Sequence, residues 1–143
     1  MKYPYYILYI MKSYILISLI FAVVVMFIVG YGTYRCTHKG FVDPITKSLL
    51  EPPFDAYTDG WAFLHFACYG IITYFFPEKF MFIAFMGVLW EVIEMIFKDH
   101  PFYFRDCKYQ LTTDKATGWW YGRYEDIIVN TLGMAVGYYF AKR

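Results

Sequence analysis

The chain is short of charge, and what charge it has is balanced. Thirteen lysines and arginines stand against twelve acidic residues in 143, a formal net charge of +1. Charge therefore recruits neither nucleic acid nor an anionic lipid surface. Paired thiols are missing too: Cys36, Cys68 and Cys107 make no CxxC, which argues against a zinc site or a thioredoxin-like couple. The sequence holds no P-loop, no dinucleotide-binding fingerprint and no H-E-x-x-H, so these nucleotide and metalloprotease chemistries have no motif to rest on. Internal repeats and low-complexity tracts are absent as well.

What is abundant is apolar and aromatic surface. A hydrophobic fraction of 59% with 24% aromatic residues exceeds what a soluble domain of this length can bury. The expectation is an all-α, polytopic transmembrane bundle of about four spans, forming one membrane domain over 1–143. The first span, about 13–34, is uncharged between Lys12 and Arg35 and long enough to cross a hydrocarbon core. It exceeds a signal-peptide core of roughly 7–15 residues, and no A-x-A-like site follows, so it reads as an uncleaved signal anchor. A connector over 35–59 with Gly40, Pro44, Pro52 and Pro53 suits a loop at the water interface.

A second span is expected over 60–76, a tight turn at Pro77-Glu78-Lys79, a third span over 80–97 and a fourth over 124–141. The loop 98–122 contains Trp119-Trp120-Tyr121, which fits an aromatic anchor at headgroup level. With four spans, both termini share a side with the Glu78-Lys79 turn. That side holds Lys2, Lys12, Lys79, Lys142 and Arg143 against Glu78 alone, and the positive-inside tendency assigns it to the cytoplasm. The two longer loops then face outward or into a lumen. Cys36 and Cys107 would lie on that face, where an oxidising compartment would permit a disulfide.

Depth gathers the polar residues. At about 1.5 Å per residue, His65 lies roughly 7–8 Å below the surface carrying the long loops, Glu94 and Glu91 roughly 5 and 9 Å, and Asp126 and Asn130 roughly 3 and 9 Å. Within each helix the spacing puts Glu91 with Glu94, Asp126 with Asn130, and His65 with Tyr69 on one face. Carboxylates facing lipid cost about 2.5–3.5 kcal/mol each near a span's centre, which favours an inward orientation. Three carboxylates, an amide and an imidazole in one layer repel one another unless protons or a cation neutralise them. A hard divalent ion suits Glu91, Glu94, Asp126 and Asn130, whereas zinc would want more histidine or thiolate. A di-iron site needs two E-x-x-H helices; here there is one E-x-x-E.

Structural roles are open for the same residues. His65 and Asn130 suit interhelical hydrogen bonds, Asp126 suits the start of the fourth helix, and Glu91 and Glu94 suit pairing with Arg123 or Arg105. Gly133 and Gly137 form G-x-x-x-G, which allows close helix approach. A proton or ion conduit is disfavoured, because the cytoplasmic half of the spans is almost wholly apolar.

Two family resemblances rest on these residues. Asp126-Ile127-Ile128-Val129-Asn130-Thr131-Leu132-Gly133 followed by Gly137, together with Asp59 and His65-Phe66-Ala67-Cys68-Tyr69, resembles VanZ-like membrane proteins. The order His65, Trp90-Glu91-Val92-Ile93-Glu94, Trp119-Trp120, Asp126, Asn130, Gly133 is similar to that of base-exchange phosphatidylserine synthases. The likeness spans about 59–137, a little over half the chain, and implies shared core architecture. It further implies a phospholipid headgroup transferase or hydrolase working on membrane lipid, with His65 and Glu91 catalytic and a divalent cation, calcium ahead of magnesium. The rival expectation is a non-enzymatic VanZ-like protein whose polar layer only fixes helix packing.

Overall fold

The structure, a computed structural model, describes residues 3–38, 43–99 and 122–143. The Trp119-Trp120 anchor and a Cys36–Cys107 pairing lie outside the described residues. Among those described, the chain is all-helical: α1 Tyr3–Thr37, α2 Gly60–Phe75, α3 Phe80–Asp99 and α4 Tyr124–Ala141. Short 3-10 turns occupy Pro44–Thr46, Asp55–Tyr57 and Pro77–Lys79.

Local chemistry sets these boundaries. Asp59 opens α2 by accepting the Ala62 N–H at 2.7 Å, satisfying a donor the first turn would leave orphaned. Phe76 precedes Pro77, which disfavours helical backbone there, and it sits at φ −131°, ψ 56°. α2 therefore stops at Phe75, and the 3-10 turn reverses the chain into α3. α1 runs beyond the expected 13–34 on both sides; Pro4 stands in its first turn, where its missing N–H costs nothing.

Side-chain contacts give the helix directions. Tyr14 packs edge-on against Phe82 at 4.9 Å, Phe21 against Tyr69 at 5.7 Å and Tyr31 against Trp61 at 5.7 Å, so α1 runs antiparallel to α2. Lys79, at the turn between α2 and α3, is buried with its Nζ 4.5 Å over the Tyr14 ring, a cation–π contact. α2 and α4 run parallel and touch backbone to backbone. A Cβ on Gly133 would collide with the Phe66 carbonyl oxygen and one on Gly137 with that of Gly70, so the G-x-x-x-G face is what lets this pair close.

Burial is inverted relative to a water-soluble bundle. A small apolar core of Ile17, Phe21, Tyr69, Ile72, Ile83 and Met134 joins all four helices. Around the opposite end of the bundle the buried side chains include Glu91, Glu94, Asp126, Asn130 and Asp59. The outward faces instead carry Phe63, Ile71 and Phe75 on α2, Met81 and Phe85 on α3, and Leu132 and Phe140 on α4, all more than half exposed.

Among the described residues one helix, over Met11–Arg35, is long and apolar enough to cross a membrane. α2 is shorter than that standard, and α4, with Glu125 and Asp126 in its first turn, is more polar. α2 has 16 residues and α4 has 18, about 24 and 27 Å at the helical rise. α3 reaches 20 residues and carries Glu91 and Glu94 in its second half.

Candidate functional site

The site forms where α2, α3 and α4 converge near the N-terminal ends of α2 and α4. From α2, His65 points its Nδ1 at Asn130 Oδ1 on α4, 3.1 Å away, and at Glu91 Oε1 on α3, 3.4 Å away. Asn130 in turn donates from Nδ2 to Glu91 Oε1 at 3.2 Å. An amide can accept at its oxygen while donating from its nitrogen, so the chain runs from the His65 Nδ1–H through Asn130 to the carboxylate. That direction leaves Nε2 as the ring nitrogen with the lone pair.

Asp126 completes the convergence. One ligand atom each from His65, Glu91 and Asp126 lies within 4.8 Å of the others. Two ligands facing each other across one calcium ion, each about 2.3–2.6 Å from it, are separated by a similar distance. Glu91 is 0% exposed and Asp126 3%. Glu91 Oε2 and Asp126 Oδ1 are both buried without a hydrogen-bond partner among the described residues. A charged acceptor left in that state costs more than the roughly 1–3 kcal/mol of a neutral one. Asp126 lies in the first turn of α4, where the helix dipole favours an anion, yet that orphaned oxygen makes no capping bond.

Glu94 is also buried. It stands outside the tightest triad and lines, with His65, Asp126, Arg35 and Tyr31, a cleft of about 40 Å³. Asn130, expected among the cation ligands, has both ends of its amide turned to His65 and Glu91. The cleft thus meets the His65 ring and the Glu94 and Asp126 carboxyl groups among Ile28, Trp61 and Tyr31, with the Asn130 amide holding the imidazole.

Two ion pairs frame this end of the bundle. Arg123, just ahead of α4, reaches Asp59 Oδ2 with Nη2 at 2.6 Å. The same aspartate caps α2, so the starts of the two parallel helices are tied together. At the end of α1, Tyr31 donates to Asp43 Oδ1 at 2.6 Å and Arg35 Nη1 lies 3.1 Å from Asp43 Oδ2. Asp43 also accepts the Ile45 N–H at 2.9 Å, which ties the start of the Pro44–Thr46 turn to the end of α1.

Arg35, Tyr31 and Asp43 were not foreseen as site neighbours. The available signal was the four-residue spacing of Tyr31 and Arg35 at the end of the first apolar run, which puts both on one face at the depth of the polar layer. Asp43 carried no such signal, because its partners depend on how the loop folds back. Compared with family models, curated proteins and solved structures, the chain matches none of them.

Proposed function

We propose that this chain is a four-span membrane protein whose buried polar layer binds a divalent cation and acts on phospholipid headgroups. The observation that carries the reading is the pair of buried, partnerless carboxylate oxygens, Glu91 Oε2 and Asp126 Oδ1, beside His65. A cation would satisfy both at once, and burying such groups without one is costly. The inverted burial supports the membrane setting. Large apolar side chains on the outward faces of α2, α3 and α4 suit lipid as solvent, and the ionisable groups face the bundle interior. Short helices such as α2 fit a bilayer through local thinning. The surplus of Lys and Arg at the termini and the Glu78-Lys79 turn supports a cytoplasmic setting for that side and an outer or lumenal one for the polar site.

Glu91, Asp126 and Glu94 would hold the ion, calcium ahead of magnesium given the preponderance of oxygen donors. The bound ion would neutralise the lipid phosphodiester. His65, oriented by Asn130, takes the proton of an incoming alcohol or water at Nε2 as its oxygen attacks phosphorus. The bond from phosphorus to the departing headgroup oxygen breaks, and the same proton is returned to that oxygen. A phosphatidylserine-synthase-like exchange and a hydrolysis differ only in the nucleophile.

Incubating purified protein with mixed phospholipid, a free headgroup alcohol and calcium, then reading the lipids by mass spectrometry, tests this. Exchange or hydrolysis abolished by chelator and by His65→Ala supports the proposal, and unchanged lipid under every condition removes it. The His65–Asn130–Glu91 chain, which cross-links three helices, favours a second reading in which the layer only fixes packing. Under that reading the lipids stay unchanged and His65→Ala loses stability.

A further inference from the structure

Beside the polar cleft lies a larger apolar groove of about 370 Å³ between α1 and the α2–α3 pair. Val24 and Val25 form its α1 wall, Leu64 and Cys68 its α2 wall, and Trp90 reaches it from α3. The groove and the cleft adjoin: Ile28, Trp61 and His65 line both. The apolar groove thus borders a cleft that holds Arg35, Glu94 and Asp126.

We infer that the groove holds one acyl chain of a diacyl phospholipid, entering sideways from the bilayer and placing its phosphate at the cleft beside Arg35 and His65. The inference rests on the reading of the site as a phospholipid-headgroup centre, and it names how that substrate is held. Its basis is the match of chemistry across two adjoining cavities, one apolar and one carrying charged groups. The occupant must be apolar over its length and charged at one end, as a phospholipid is and a soluble metabolite is not. At the polar end Arg35 touches Asp43 through Nη1, and a guanidinium has five N–H donors, so it keeps capacity to meet a phosphate oxygen.

The test uses the full chain in phospholipid nanodiscs doped with a phosphatidylcholine whose acyl chain carries a photoreactive diazirine, with adducts mapped by mass spectrometry. Adducts should concentrate severalfold on Leu64, Cys68 and Trp90 over Phe63, Met81 and Phe85, which face outward. Filling the groove by Val24→Trp, or from the opposite wall by Leu64→Trp, should remove that excess while thermal unfolding shows the fold intact. Even labelling of groove and outer faces, or an excess that survives both fillings, means ordinary surrounding lipid and overturns the inference. Glu91→Gln separates the two claims: it should abolish cation-dependent stabilisation and leave the groove adducts unchanged. Concentrated adducts in a wild type that shows no cation response would uphold the groove and defeat the headgroup-centre reading.

Discussion

Gly133→Ala perturbs one of the two glycine contacts through which α2 and α4 meet backbone to backbone. The new Cβ would strike the Phe66 carbonyl oxygen, and that obstacle is backbone, which cannot swing aside as a side chain would. Restoring van der Waals separation requires α2 to retreat by about 1 Å. The His65–Asn130 contact of 3.1 Å would then exceed hydrogen-bond range, so His65 loses its orientation along with the packing. Overpacking of this kind costs about 1–3 kcal/mol, against which alanine returns up to about 1 kcal/mol of helix propensity. The expected result is a net loss of about 1–2 kcal/mol by those two terms, measured by reversible denaturant unfolding in mixed micelles. Gly30→Ala is the matched control, since its Cβ would meet nothing within 4 Å; it should be neutral or mildly stabilising. Equal stability of the two variants would refute the claim that the glycine face fixes the site.

Other consequences follow from the frame of the site and from its setting. Arg123→Gln should cost about 3 kcal/mol by stranding the buried Asp59 carboxylate, read from the same unfolding curves. Asp59→Asn, which keeps the oxygen that caps α2, should be milder than Asp59→Ala by about 1 kcal/mol. Cysteines placed singly at Lys47 and Glu78, both exposed, should react with an impermeant maleimide from opposite sides of a sealed vesicle. Labelling of both from one side would remove the four-span reading.

The boundaries of α2 were legible because single residues set them: Asp59 ahead of an apolar run and Pro77 after one. Those of α1 were not, because the helix continues past its uncharged stretch to Tyr3 and Thr37, and Lys and Arg are good helix formers that do not stop it. The meeting of His65, Glu91 and Asp126 was legible from depth alone, because helices crossing in opposite directions bring residues at equal distance from one surface into register. What sequence could not supply was the division of labour. Asn130 and Glu94 are both polar residues at the right depth, yet one turns its whole amide to two neighbours and the other lines the cleft. Nor could it pair Arg123 with Asp59, 64 residues apart, when Glu91 and Glu94 offered nearer carboxylates. The glycines announced a close approach but not their partner, since G-x-x-x-G says nothing about which backbone it meets.

Cation-dependent stability is the most direct test of the central claim. Wild type, Glu91→Gln and Asp126→Asn are unfolded thermally in phospholipid nanodiscs with chelator, with calcium and with magnesium. Each substitution keeps shape and hydrogen bonding while removing one charge. If Glu91 and Asp126 hold an ion, wild type gains roughly 2.7 kcal/mol at about 100 times the dissociation constant, more readily with calcium, and the variants fold but gain nothing. If wild type shows no shift with either ion across millimolar concentrations, or the variants shift as much as wild type does, the layer is a packing device and not a metal centre.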